Sequence, residues 1–469
     1  MACVGQTPAL ATPPPAYADR AARSLRPVPR RRAISTRCTQ GIRAVSQRGH
    51  AEKDSNLFRR AGGGYVRRVS TDSIPPLFGP AFDADPYPAY DWLRRNAPVT
   101  RVPLPGCEAW LVTRYEDAVT ALTHPALAKD PAAGSPEWRA ASLGLPLDHR
   151  PGLARHMINA DGADHARLRR LVSAAFTPRR MAGLRTRALE VTDTLLDRLD
   201  GPEADLIAGL AYPLPITIIC DLLGVPEEDR ATFHHHASVI DSAAASEVEE
   251  IARATDALES FLADLVELKR SRPGNDLLTD LVRRSNQGEI DKDELTSTAF
   301  LLLIAGHETT VALIGNGLLA LLRHPGQAAA LRADLSLLPD FIDEMLRYDG
   351  PVRNATWRFP TEPVVIGGQE MLPGEPILVS LLAANRDPAA FADPDAFSPG
   401  RVGEPHLAFG RGPHYCVGAA LARVEGEAAI GRVLERFPDL ALAADPAELR
   451  WWPSAIMRGL FSLPVRLRG

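Results

Sequence analysis

The chain runs to 469 residues, with 53 lysines and arginines against 58 aspartates and glutamates, a net charge of −5, and 45% hydrophobic residues. No uninterrupted apolar run approaches the roughly 20 residues that span a bilayer, and the five cysteines (3, 38, 107, 220 and 416) form no CxxC and no regular spacing. A membrane-spanning protein and a disulfide framework are thereby set aside, and a soluble, cytoplasmic chain in a reducing compartment, with no nucleic-acid or membrane partner, is expected.

Charge is divided unevenly. Residues 1–70 hold 14 basic residues against three acidic ones, a net of +11, which leaves −16 for the rest. They also contain Pro13-Pro14-Pro15, Arg30-Arg31-Arg32 and Gly62-Gly63-Gly64, with no sustained apolar period. Residues 1–72 are expected to be a disordered, dispensable extension, followed by one ordered domain over 73–469. An Arg-rich, acid-poor leader also describes an organellar transit peptide. Four lysines against 49 arginines point instead to a bacterial source.

From about Leu77-Phe78-Gly79 the elements follow in order. Tyr87 to Asn96 reads as a helix. Val99 to Val102 and Ala109 to Thr113 alternate as paired strands, and Glu116 to Leu122 is a helix ended before Pro125. Residues 125–160 carry Pro and Gly without a clear period. Helices continue to about Leu223, and Pro226-Glu227-Glu228 opens another. His234-His235-His236 lie on it, and consecutive helical residues diverge, so the three cannot converge on one metal ion. Asp291 to Leu322 is a helical pattern of roughly 48 Å closed by Pro325. Val364 to Gly367 and Glu375 to Leu382 form a small sheet about a Gly-rich turn. Trp451-Trp452 is expected to pack in a C-terminal sheet. Aromatic content is 6%, and alanine and leucine are abundant. The fold class expected is mainly α with small β-sheets. Length alone suggests about three domains, but chemical motifs spread from His165 to Cys416 require a single large one.

Four stretches carry that chemistry. In Asp161-Gly162-Ala163-Asp164-His165-Ala166-Arg167-Leu168-Arg169-Arg170, His165 and Arg169 share a helix face and suit carboxylates. In Ala305-Gly306-His307-Glu308-Thr309-Thr310, a Gly, an acid and two threonines interrupt an apolar helix, a conflict with local propensity expected at functional sites. In Glu344-Met345-Leu346-Arg347, the acid and the base share a face, flanked by apolar residues that would bury the pair. In Phe409-Gly410-Arg411-Gly412-Pro413-His414-Tyr415-Cys416-Val417-Gly418, three glycines let backbone lie flat against a large planar object. Peptide N–H groups there can point at the sulfur, and a helix begins just beyond it. A lone Cys without a second Cys or His at ligand spacing argues against structural zinc. An axial thiolate on a haem iron fits.

Taken together, these stretches resemble the cytochrome P450 family, of the soluble, bacterial, actinobacterial type, over about residues 73–469. Ala384-Asn385-Arg386-Asp387-Pro388 belongs to the same pattern. The resemblance implies the cytochrome P450 fold and haem b (iron protoporphyrin IX), with Cys416 as its metal ligand and Phe409, Gly410 and Gly418 shaping the loop that holds it. It implies that His165, Arg169, Arg358 and His414 hold the haem propionates, and that Arg401 joins Glu344 and Arg347. Small Ala305 and Gly306 would leave room for dioxygen, Thr309 would donate a hydrogen bond to it, and Glu308 would deliver protons. Residues 125–160 would form the loop that shapes substrate access, with Trp138, Leu143 and Leu145. The activity implied is insertion of one oxygen atom from O2 into a C–H or C=C bond of a small organic substrate such as a macrolide or other polyketide. No flavin or nicotinamide segment is visible, so a ferredoxin and its NAD(P)H-dependent reductase would supply electrons, docking on Arg167, Arg170, Arg411 and Arg423. A haem sensor without oxygen insertion and a peroxide-driven enzyme are the alternatives; the intact Glu308-Thr309 pair favours the monooxygenase.

Overall fold

The longest helix begins at a capping box. The Asp291 carboxylate accepts from the Glu294 N–H, the Glu294 carboxylate accepts from the Asp291 N–H, and 32 helical residues follow, Lys292–Arg323. Its side chains are buried almost throughout, so the other helices pack around it. One 18-residue window of this helix is long and apolar enough to cross a membrane, yet 72% of that window is buried inside the protein.

The computed structural model describes residues 57–59, 65–67, 74–104, 106–141, 150, 152–174, 176–242 and 248–468. In chain order these form β1 (Leu57–Arg59), β2 (Tyr65–Arg67), α1 (Pro80–Ala84), α2 (Tyr87–Asn96), β3 (Val99–Leu104), β4 (Cys107–Val112), α3 (Tyr115–Thr123), β5 (Leu127–Ala128), α4 (Pro136–Ala141), α5 (Gly162–Ser173), α6 (Pro178–Leu196) and β6 (Glu203–Asp205). There follow α7 (Pro213–Leu223), α8 (Arg230–Ser242), α9 (Val248–Ser271), α10 (Leu277–Asn286), the long helix α11 (Lys292–Arg323), α12 (Pro325–Ala333) and α13 (Leu338–Asp349). The remainder is β7 (Asn354–Pro360), β8 (Val364–Ile366), β9 (Gln369–Met371), β10 (Ile377–Ser380), α14 (Leu381–Ala384), α15 (Ala419–Arg436), β11 (Ala441–Leu442) and β12 (Pro464–Arg466).

One large apolar cluster joins α5, α6, α7, α9, α10, α11, α13 and α15. Close approach between these helices rests on small residues. A Cβ at Gly317 of α11 would meet Met345 Sδ at 2.7 Å and Ile430 Cδ1 at 3.0 Å, which packs α13 and α15 directly on α11. Two smaller clusters line a five-stranded sheet of order β3-β4-β10-β7-β5. β10 runs parallel to β4 and antiparallel to β7, and its Ile377, Leu378 and Val379 are buried on both faces, as a central strand requires.

Most expected elements are present within a residue or two. Three differ. β8 pairs with β9, not with the strand at 377–380, because Gly367 and Gly368 both take positive φ (56° and 76°) and close a two-residue hairpin. Within the stretch expected to be disordered, β1 and β2 pair antiparallel; residues 1–56, 60–64 and 68–73 lie outside the described residues. Trp138 does not line an open access path. It is 1% exposed and packs edge-on against Trp357 and Phe359, with ring centroids at 5.7 and 4.6 Å. Leu143 and Leu145 lie outside the described residues. Trp451 packs as expected: it is buried, bridges to Leu460 and lies under Arg458 at 3.7 Å.

Candidate active site

The Glu344–Arg347 pair is buried and builds the approach to the cysteine loop. Arg347 Nε and Nη2 donate to the two Glu344 oxygens at 2.7 and 2.8 Å, and its other N–H groups reach the carbonyls of Asn385, Pro394 and Ala396. Glu344 Oε1 also accepts from the Ser398 N–H at 2.7 Å, with Arg401 Nε at 3.6 Å. Every charge therefore has partners, the condition for burying such a pair. The network ties α13 to residues 385–401, and the loop 407–418 follows directly.

Within that loop the Cys416 N–H donates to Phe409 O at 2.9 Å and the Gly410 N–H to Leu407 O at 2.8 Å. Gly410 and Gly412 take φ of 71° and 76°, which a side chain would resist, and a Cβ on Gly412 would also meet Thr123 Cγ2 of α3 at 3.0 Å. Cys416 is exposed by area, yet it sits in a cleft deep enough that desolvation raises its thiol pKa. The Gly418 backbone N–H, then Arg169 and Arg423, act in the opposite direction. In the protein alone burial wins, and a metal cation at the sulfur is the kind of group that would reverse the balance. Phe409 is held from above by Arg423, 4.6 Å from its ring.

Beside the loop, α5, β5 and β7 bring cationic and imidazole groups together. The His165 and His414 rings lie 4.1 Å apart. Both are held below the ordinary histidine range, first by desolvation; Lys129 is next for His414, which falls to about 2, and Arg169 for His165. Arg358 is 4% exposed, and burial lowers its pKa to about 10. Among the described residues its guanidinium donates to Thr356 O at 3.0 Å and pairs with no carboxylate. Buried His165 Nε2 likewise has no acceptor or donor among the described residues, and Arg169 forms no ion pair there. A buried cation without an anion is costly. One thiol on a loop and a set of donors short of carboxylates fit haem, which brings an iron and two propionates.

In the middle of α11 the fit is partial. Thr309 is half-buried and its Oγ1 donates to Ala305 O at 2.8 Å; Thr310 does the same to Gly306 O at 3.0 Å. Glu308 is half-buried and Ala305 exposed. Gly306 does not make the room expected of it. Successive helical residues point about 100° apart, and a Cβ at Gly306 would meet Ile219 Cδ1 of α7 at 2.8 Å. Its role is the close crossing of α7 and α11. His307, between them, is buried, with Nε2 3.2 Å from Tyr212 O.

With this geometry, comparison with known proteins is decisive. The cytochrome P450 family profile matches residues 206–444. Cytochrome P450 107B1 of Saccharopolyspora erythraea is 48% identical over 405 residues, covering 85% of this chain and 99% of that protein. The chain belongs to the cytochrome P450 family. The 6-deoxyerythronolide B hydroxylase of the same organism is 42% identical over 403 residues, covering 85% of this P450 and 100% of that relative. The solved structure of the tirandamycin C-bound P450 monooxygenase TamI superposes with a TM-score of 0.77 at 40% identity, covering 83% of this chain and 98% of that one. This P450 is thus a bacterial-type haem monooxygenase that takes a small-molecule substrate and receives electrons from redox partners.

Two of the four arginines expected to meet such a partner are already engaged. Arg167 donates to both oxygens of Glu294, at 3.1 and 2.5 Å, because that buried capping carboxylate needs a cation. Arg423 pairs with Asp343 at 2.8 Å. Arg170 is exposed, and Arg411 is half-buried near the Tyr115 hydroxyl. Of the His234–His236 run, His234 is buried with Nε2 3.6 Å from Cys220 Sγ, His235 is exposed, and no metal-binding cluster exists among the described residues. Sequence reasoning missed Lys129 and Asp161, which act on His414 and on His165 and Arg358 respectively. Lys129 is buried, with Nζ 2.6 Å from Thr356 Oγ1. Its signal was rarity: it is one of four lysines in the chain.

Proposed function

We propose that this P450 holds haem b through the Cys416 thiolate and inserts one oxygen atom from O2 into a C–H or C=C bond of a natural product of the polyketide class, macrolides included. The observation that carries the reading is the single thiol just before α15 set beside buried Arg358 and His165 and half-buried His414 and Arg169, a cluster that has only Asp161 as a carboxylate near it among the described residues. Haem, when bound, supplies dioxygen activation and oxygen-atom transfer. Cys416 would hold the iron, Phe409, Gly410 and Gly418 would keep the loop flat against the ring, and His165, Arg169, Arg358 and His414 would take the propionates.

The remaining steps belong to α11. Thr309 Oγ1 holds a proton that it directs to Ala305 O; turned from the helix, it would offer that proton to dioxygen beside Ala305. The Glu308 carboxylate would replace the proton from solvent, giving the pair its role in general acid catalysis. The substrate class is supported by the relative that hydroxylates 6-deoxyerythronolide B and by the tirandamycin C bound to the neighbouring structure. Electrons would come, in the cytoplasm, from a ferredoxin and its NAD(P)H-dependent reductase, steered to Arg170 and Arg411.

The test is turnover of candidate polyketides by haem-loaded protein with a surrogate ferredoxin, its reductase, NADPH and isotopically labelled dioxygen. Product carrying one labelled atom supports the reading. Haem loading and substrate binding without labelled product would leave a haem-binding protein that does no oxygen insertion.

A further inference from the structure

One carboxylate stands among the groups assembled around the propionate donors. Asp161 stands at the N-terminal boundary of α5 with its side chain turned away from the helix N–H groups, and its Oδ2 accepts from the N–H groups of Lys129 and Asp130 at 2.8 and 3.1 Å. Its Oδ1 lies 4.0 Å from His414 Nε2. The same carboxylate acts favourably on the Arg358 cation and on protonated His165. His165, Arg358 and His414 face it from α5, β7 and the cysteine loop, and Lys129, Arg358 and Arg169 all act on the His414 ring beside it. Two backbone N–H bonds would hold either an aspartate or an asparagine there, so the loop geometry does not require the charge. Three cations converge on His414, and where a neutral residue would hold the same two N–H groups the residue beside that ring is negative.

We propose that Asp161 is a positioning residue whose negative charge partly offsets the Lys129–Arg169–Arg358 cluster and thereby holds the reduction potential of the bound haem below the value the cations alone would set. The inference rests on the haem reading above. A negative charge near the iron disfavours the extra electron of the ferrous state, and a cation favours it. The Asp161 side chain is 40% exposed, so solvent and salt screen its effect, which is largest at low ionic strength.

The experiment is spectroelectrochemical titration of the haem-loaded protein at low ionic strength. Asp161→Asn keeps both backbone hydrogen bonds, so it retains haem and helical content by circular dichroism, and its midpoint potential shifts positive. Lys129→Gln shifts it negative. Opposite signs are the signature of charge, since a general loosening of the site would move both variants the same way. The proposal is overturned if Asp161→Asn leaves the potential unmoved, if the two variants shift in the same direction, or if Asp161→Asn loses haem, which would make the residue a determinant of fold. A parent protein that takes up no haem with a thiolate-type spectrum would instead overturn the reading beneath it.

Discussion

Gly306→Ala separates two explanations of a glycine in the middle of the oxygen-activation stretch. If the glycine leaves room for dioxygen, alanine harms coupling and leaves stability alone. The structure assigns it to the crossing with α7, where the added Cβ meets Ile219 Cδ1 at 2.8 Å and Ile219 Cγ1 at 3.5 Å. The first distance is a clash and the second an ordinary contact. Overpacking of this kind costs about 1–3 kcal/mol, while replacing Gly by Ala inside a helix returns about 1 kcal/mol. Gly306→Ala alone is therefore expected to destabilise by about 0–2 kcal/mol. Ile219→Val removes the clashing carbon and on its own costs about 0.5–1.5 kcal/mol. Together the two changes should be more stable than their sum by about 1–3 kcal/mol, a coupling well above the scatter of independent sites. Denaturant unfolding of the four proteins measures it. A coupling near zero, with oxygen use uncoupled from product in the single and double variants alike, would refute the helix-crossing account.

Thr309→Ala should bind haem and substrate as the parent does while diverting reducing equivalents to peroxide; peroxide yield per NADPH measures this. Reversing Arg170 and Arg411 to Glu should slow reduction by ferredoxin at low salt and leave dithionite reduction unchanged, as stopped-flow traces would show. A chain beginning at Ile74 should load haem and turn over like the full chain. Burial, then His307 and Arg230, push His234 down to about 3, so below pH ~6.5 the unfolded chain binds a proton that the folded chain refuses. Stability is thus full above pH ~6.5 and falls as pH drops toward 3, by on the order of 2 kcal/mol at pH 5. His234→Phe should flatten that slope in denaturation at stepped pH.

Much of the site could be read because its chemistry sits in contiguous residues. The Cys416 loop needs its glycines within ten positions, and Glu344–Arg347 is one helical turn. Asp291 and Glu294 announce the start of α11 by local hydrogen bonds. What escaped depends on partners far along the chain. Gly306 looked like space for a ligand because Ile219, 87 positions earlier, is invisible to local reasoning. Arg167 read as a free surface charge until Glu294 met it from α11. Val364–Ile366 read as the partner of a later strand, although Gly367 and Gly368 already carried the hairpin. Trp138 sat in a stretch without periodicity, and only the fold brings Trp357 and Phe359 against it.

The central claim is that Cys416 supplies the thiolate to haem iron. Its most direct test is the ferrous–carbon monoxide difference spectrum of the haem-loaded parent and of Cys416→Ala. The parent should show the red-shifted Soret band of thiolate ligation, and the variant should lose it even where haem is retained. A thiolate-type band that persists in Cys416→Ala would contradict the account.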